Sequence, residues 1–139
     1  MKAKLFPLGT IDDSLIKFVV ILVKQGEEWV LSKHKHRDTW EFAGGHREVG
    51  ESVDESAARE LFEETGALEF SITPISIYSV SRENENESFG QLYLAQVDRF
   101  GPLPESEMAE IKAFEKVPHN LTYPFIYPIL IQAALEHMK

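Results

Sequence analysis

The segment Ile16–Val23, reading IKFVVILV, constrains the fold more than any other part of the chain. It is apolar at every position but Lys17 and shows no alternation of apolar with polar residues, so it suits a strand whose two faces are both buried. Such a strand needs packing partners on each side. Gln25–Glu28 supplies a polar turn and Trp29–Ser32 a second strand, which predicts a hairpin. Leu68–Ser81 and Phe89–Val97 are rich in Ile, Tyr, Val and Leu and flank the polar run RENENES over 82–88, which predicts two long strands joined by an exposed loop. Between these pairs, Lys33–Thr39 (KHKHRDT) reads as a basic loop, Trp40–Phe42 as a short extended piece and Gly44–Gly45 as a backbone hinge. Asp98–Glu110, with Gly101, Pro102 and Pro104, reads as a loop before a strand at Ile111–Val117. Two helices complete the pattern. Ser52–Thr65 has Ser52 and Glu55 in capping-box spacing, an apolar stripe of Val53, Ala57 and Leu61, and Gly66 as its stop. Tyr123–Met138 closes the chain with Pro124 near its first turn, or with a start nearer Pro128. Strands on both sides of one acidic helix, with a second helix at the end, predict an α+β domain: a mixed sheet sandwiched between helices.

The 139 residues contain no repeat and no linker long enough to separate two cores, so residues 1–139 are expected to form one domain. The absence of cysteine excludes disulfide frameworks, thiolate zinc sites and cysteine nucleophiles. Fourteen Lys and Arg against 23 Asp and Glu give a net charge of −9, which argues against a binder of nucleic-acid polymers. A small polyphosphate remains compatible with such a chain if divalent cations stand between carboxylates and phosphate oxygens. No apolar run approaches the roughly 20 residues that span a bilayer, and Met1–Thr10 lacks the pattern of a signal peptide. A cytoplasmic location without a membrane partner is expected.

The chemistry lies in Gly45–Ala67, GHREVGESVDESAARELFEETGA. Glu60, Glu63 and Glu64 stand at i, i+3 and i+4 and project within an arc of roughly 100° on the helix. Like charges at that spacing repel by a few tenths of a kcal/mol per pair. Glu51, Asp54 and Glu55 add to the acidity, and Arg59 is the basic residue that offsets it. A solvated acidic face is one account of such a run. A site for a hard divalent cation, which prefers carboxylate and water oxygens, is the other.

The spacing around the helix favours the second account. Gly45, five residues, Glu51, seven residues, Arg59-Glu60-Leu61, one residue, Glu63-Glu64, one residue and Gly66 resembles the signature of the Nudix hydrolase family. The chain departs at Ala67, where the family usually has Ile, Leu or Val. Trp40-Glu41-Phe42-Ala43-Gly44-Gly45 resembles a form frequent in the MutT-like branch, with Ala43 in place of a proline. The resemblance implies the Nudix fold, with Glu60, Glu63, Glu64 and the Gly45 carbonyl holding Mg²⁺ or Mn²⁺ and with Glu51 paired to Arg59. It also implies hydrolysis of a nucleoside diphosphate linked to another moiety. Glu63 or Glu64 would steer the proton of the attacking water, and Glu107 and Glu110 occupy a place comparable to an additional acid found in many members.

For the small nucleotide substrate, Lys33, Lys35 and Arg37 are candidates to meet phosphate, although a solvated loop accounts for them as well. Asn120, after Pro118-His119, resembles the MutT-like asparagine that hydrogen-bonds a purine; capping a turn is its other reading. Phe6, Phe42, Tyr78 and Tyr93 are candidates for base stacking or for the core. His34, His36 and His46 are read as exposed residues before metal ligands. The resemblance points to a pyrophosphohydrolase that cleaves a nucleoside triphosphate, its base oxidised or not, to a nucleoside monophosphate and pyrophosphate. An ADP-ribose or nucleotide-sugar pyrophosphatase and a non-catalytic nucleotide-sensing module are the alternatives, and either a monomer or a homodimer is compatible with the apolar Leu121–Leu135 segment.

Overall fold

A computed structural model describes residues 2–139. The order of elements is β1 (Lys2–Phe6), a short 3₁₀ turn (Asp13–Leu15), β2 (Ile16–Gln25), β3 (Glu28–His34), β4 (Trp40–Glu41), β5 (Ala43–His46), α1 (Val53–Thr65), β6 (Ala67–Ser81), β7 (Ser88–Phe100), β8 (Met108–Phe114) and α2 (Tyr127–His137). The apolar run is the centre of the sheet. β2 pairs in parallel with β7, which pairs antiparallel with β6, and β6 carries β1 at the edge. The other side of β2 is shared: Phe18–Ile21 pair with β5, and Val23–Gln25 pair with β3. β3 then reaches β4 along one edge and β8 along the other.

Alternation along β2 sends its residues into two cores. Val19, Ile21 and Val23 join Val53, Ala57 and Leu61 of α1, while Leu22 joins Phe42, Tyr78 and the α2 residues Tyr127, Leu130 and Ala134. The mixed sheet between helices is therefore as expected from the sequence, and each buried Leu, Ile or Val contributes about 1.5–3 kcal/mol to holding it. The capping box of α1 forms: Ser52 Oγ accepts from the Glu55 amide, and the Glu55 carboxylate accepts from the Ser52 amide. Gly66 ends the helix at φ 76° in the left-handed region, where its amide donates to the Phe62 carbonyl.

Three expectations need correction, and one strand was not anticipated. Gly44–Gly45 is a strand, not a hinge, because β2 offers a free edge at Phe18–Ile21. The glycine at 44 serves close approach, since a Cβ there would lie 2.4 Å from the Val19 carbonyl oxygen. Glu110, placed in a loop by the sequence, lies within β8, which starts at Met108 and ends at Phe114; pairing with β3 sets those limits. α2 begins at Tyr127 rather than Tyr123, with Pro128 in its first turn, where a missing N–H costs nothing. β1 was not legible: five residues on a sheet edge, three of them exposed and none buried, leave little periodic signal.

Candidate active site

Pairing with β2 lays β5 beside α1, and this brings the two glycines to the acidic helix. Glu64 Oε1 accepts a hydrogen bond from the Gly44 amide at 2.8 Å. One turn earlier, the Glu60 carboxylate fills the space where a Gly45 side chain would stand, with Oε1 2.6 Å from the ideal Cβ position. Glycine at 45 is thus a requirement of the site itself. Glu60 is 12% exposed and Glu63, on the outer side of the same row, is 47% exposed.

Arg59 organises the acidic cluster. Its Nε and Nη2 grip both oxygens of Glu51 at 2.6 and 3.0 Å, and Nη1 donates to Glu60 Oε1 at 2.9 Å and Glu63 Oε2 at 3.2 Å. Nη2 also donates to the His46 carbonyl, so one guanidinium joins β5, the 47–51 loop and α1. A planar fork with five donors is suited to this task and an ammonium is not. The pairing holds Glu51 below its ordinary pKa through the Arg59 hydrogen bonds and the Glu48 amide. Burial acts in the opposite direction on the two inner carboxyls. It raises Glu60 against the pull of Arg59, and it pushes Glu64 up to about 8 despite the Gly44 amide, with Glu60, Glu41 and Glu107 adding repulsion.

Two half-buried carboxylates that resist ionisation together are the donors a hard divalent cation would stabilise, so the chemistry of Glu60, Glu63 and Glu64 fits such an ion. The shell is not ready-made. Among the described residues no three Asp, Glu or His side chains are gathered for metal binding, because Arg59 stands between Glu60 and Glu63 and the Gly44 amide holds one oxygen of Glu64.

The remaining candidates divide. Glu107 lies at the edge of the cluster, near enough to act on Glu64, with its carboxylate 3.6 Å from His34 Nε2 and its carbonyl accepting from the Lys35 amide. Glu110 is turned to Lys33 at 3.2 Å instead, and Lys35 is exposed. Arg37 pairs with Glu41 at 3.2 Å. The His36 amide donates to His34 Nδ1, and His46 packs edge-on against Phe18.

A cleft of about 410 Å³ opens beside Gly44 and Gly45 on the α2 side of the sheet, and Phe42 and Tyr78 line it. Phe6 does not; it packs edge-on against Phe89. Tyr93 is buried towards α1 with its hydroxyl on Asp54, and the Asn120 side-chain amide donates to the Asp38 carbonyl outside the cleft. Asn120 here braces the loop before β4.

Sequence reasoning missed two residues. Arg47 clamps the loop that carries Glu51: its Nε donates to the Glu51 carbonyl, Nη1 to the Asp13 and Ile16 carbonyls, and Nη2 pairs with Asp13. Glu41 lines the cleft and is buried. A lone arginine in an acidic loop and a carboxylate between two large aromatics were the available signals.

The match to the NUDIX domain family model extends over residues 15–128, and the chain belongs to that family. It is 31% identical over 109 residues to a Bacillus subtilis (strain 168) protein named putative 8-oxo-dGTP diphosphatase YtkD, a segment that makes up 76% of this chain and 66% of that protein. A second protein of that organism, also named putative 8-oxo-dGTP diphosphatase, is 40% identical over 47 residues, only 34% of this chain and 32% of the relative. In structure the chain resembles the Bacillus subtilis pyrophosphohydrolase BsRppH with a TM-score of 0.82, 24% identity, and 97% and 90% of the two chains covered. The NUDIX domain of Shewanella oneidensis NrtR, solved with ADP ribose, follows the same fold with a TM-score of 0.70 at 18% identity, over 95% and 96% of the two chains.

Proposed function

We propose that the chain is a divalent-cation-dependent pyrophosphohydrolase that cleaves a nucleoside triphosphate to a nucleoside monophosphate and pyrophosphate. The observation that carries this reading is the row of Glu60 and Glu64 against the Gly44–Gly45 strand at the end of a cleft of nucleotide size. The names of the two relatives, both diphosphatases of a nucleoside triphosphate, support the substrate class.

Glu60, Glu63, Glu64 and the Gly45 carbonyl would hold Mg²⁺ or Mn²⁺. Bound there, the ion supplies neutralisation of phosphate charge and acidification of water. The protein's part is placement. Arg59 keeps Glu60 and Glu63 aligned through Glu51, and Arg47 fixes the loop from which Glu51 reaches. Glu63, the most open of the three, accepts the proton of the attacking water, with Glu107 at the rim as a further acid. The water oxygen bonds to a phosphorus flanking the scissile anhydride, the bridging P–O bond breaks, and pyrophosphate departs.

Pyrophosphate release from a panel of nucleoside triphosphates, and AMP release from ADP-ribose, measured with the purified protein, test the reading. Release from triphosphates that stops with chelator and falls at least a hundredfold in Glu63→Gln is expected. Turnover of ADP-ribose alone, or of nothing, refutes it.

A further inference from the structure

One face of β6 sends Tyr78, Val80 and Arg82 to the cleft, as the period of a strand requires. Tyr78 is 5% exposed, and the end of its ring lies over Gly90, its cross-strand partner on β7. A Cβ at position 90 would stand 2.3 Å from Cζ and 2.4 Å from the hydroxyl oxygen of Tyr78. An aromatic ring over a cross-strand glycine is a packing device that Phe would serve equally well. The hydroxyl is a separate matter. Among the described residues, the polar side-chain atoms sealed in without a partner are Ser56 Oγ and Ser76 Oγ. The Tyr78 hydroxyl, also without a protein partner, opens into the cleft instead. Burial raises its pKa, so the group stays neutral, with one proton to donate and lone pairs to accept. A buried tyrosine hydroxyl ordinarily has a partner, and a ligand hydroxyl, itself both donor and acceptor, complements it.

The sheet register locates this hydroxyl. Gly90 stands beside Phe18 on β2, and Phe18 beside His46 on β5, next to Gly45. Two strand spacings of about 4.8 Å therefore put the Tyr78 hydroxyl about 10 Å from the Gly45 end of the cleft. Gly45 borders Glu60, and Glu41 acts on Glu64, so that end carries the acids that would hold the cation and the phosphates. Arg82, Glu85, Asn86 and Ser88 line the cleft beyond Tyr78, at the end of β6 and along the loop that follows it. Tyr78 thus stands one group past the phosphates, and in a nucleotide that group is the pentose. We infer that Tyr78 is a specificity-determining residue whose hydroxyl bonds a hydroxyl of the substrate's pentose, with Gly90 making room for it to reach that place.

This inference rests on the nucleotide reading of the site, and the experiment separates the two. kcat/KM is measured for the ribo, 2′-deoxy and 2′,3′-dideoxy forms of GTP and of ATP, with the wild type, Tyr78→Phe and Gly90→Ala. Calorimetric binding of the corresponding monophosphates needs no turnover. In the wild type one of the two deletions is expected to lower kcat/KM by roughly threefold to tenfold, the worth of one neutral hydrogen bond, whichever base is attached. A drop from ribo to 2′-deoxy assigns the 2′-hydroxyl, and a drop from 2′-deoxy to dideoxy assigns the 3′-hydroxyl. Tyr78→Phe keeps the ring over Gly90 and is expected to abolish that drop while the dideoxy substrate is turned over as by the wild type. This is a double-mutant cycle between protein and ligand. Gly90→Ala keeps the hydroxyl but displaces it, and the same flattening is expected. Triphosphate hydrolysis that ignores the sugar in the wild type overturns the role of Tyr78 and leaves the proposed function standing. So does an equal loss on all three sugars in Tyr78→Phe, which would assign the hydroxyl to the fold. Monophosphate binding that depends on a sugar hydroxyl and on Tyr78, without turnover of any triphosphate, supports the reading of Tyr78 and refutes the hydrolase.

Discussion

Replacing Glu64 by Gln is expected to stabilise the cation-free protein, and to do so more strongly at higher pH. The carboxyl is pushed up to about 8 in the fold from an ordinary value of 4.5, chiefly by burial. A raised carboxyl pKa means that the folded state binds the proton more tightly than the unfolded chain. The group therefore weighs against folding only above about pH 4.5, and the penalty grows until about pH 8, where the folded carboxyl also ionises. At about 1.4 kcal/mol per pH unit, the penalty is roughly 1 kcal/mol at pH 5 and roughly 4 kcal/mol at pH 8. Gln has nearly the same shape, keeps an oxygen for the Gly44 amide and does not titrate in this range. Urea denaturation in excess chelator at pH 5 and pH 8, for wild type and Glu64→Gln, isolates the effect because the other carboxyls are common to both proteins. The stability difference between the proteins should widen in favour of the variant by about 3 kcal/mol between the two pH values. A difference that does not change with pH would show that Glu64 is not held in an environment hostile to its charge, and the argument for a cation at this place would lose its electrostatic basis.

Other perturbations probe neighbouring parts of the same geometry. Gly44→Ala sets a Cβ 2.4 Å from the Val19 carbonyl oxygen, a backbone atom that cannot rotate away; a loss of about 3 kcal/mol in urea denaturation is expected. Gly45→Ala meets the movable carboxylate of Glu60 instead, so the fold should survive with less loss while cation-dependent pyrophosphate release falls about a hundredfold, as misplacement of a reacting group does. Arg59→Lys cannot grip both Glu51 oxygens and reach Glu60 and Glu63 as well; kcat should fall at least tenfold in steady-state assays with little change in the circular dichroism spectrum. Mg²⁺ should raise the melting temperature of the wild type and leave that of Glu60→Gln nearly unchanged in thermal-shift measurements.

The parts of the fold legible in the sequence are those whose side chains repeat with one period over many residues. The IKFVVILV run located the central strand, and the Ser52–Glu55 box with the Val53, Ala57 and Leu61 stripe located α1 within a residue. Residues whose place depends on a distant partner were not legible. β5 exists because β2 has an unoccupied edge over Phe18–Ile21, and nothing local in Ala43–His46 announces it. The limits of β8 are fixed by Trp29–His34, far earlier in the chain, with Trp29 pairing Phe114 at the strand's end, so proline and glycine placement in Asp98–Glu110 misjudged them. The same distinction governs the site. The row Glu60, Glu63 and Glu64 is a matter of helical spacing and could be read directly, whereas the burial of Glu41 and the hold of Arg47 on Asp13 come from chain segments that meet only after folding.

The two glycines show why the acidic site and the strand that carries it are inseparable. Gly44 must lack a side chain because β2 approaches it through the Val19 carbonyl, and Gly45 must lack one because Glu60 does from the other side. Between β2 and α1 there is room for a bare backbone alone. That closeness removes water from Glu60 and Glu64, and the removal of water is the first cause of their raised pKa values. A wider gap would leave the carboxylates solvated, with a weaker demand for a cation. The tight strand therefore tunes the acids: the packing that denies glycine positions a Cβ is the same packing that desolvates Glu60 and Glu64, and the divalent ion of the proposed function would relieve that cost.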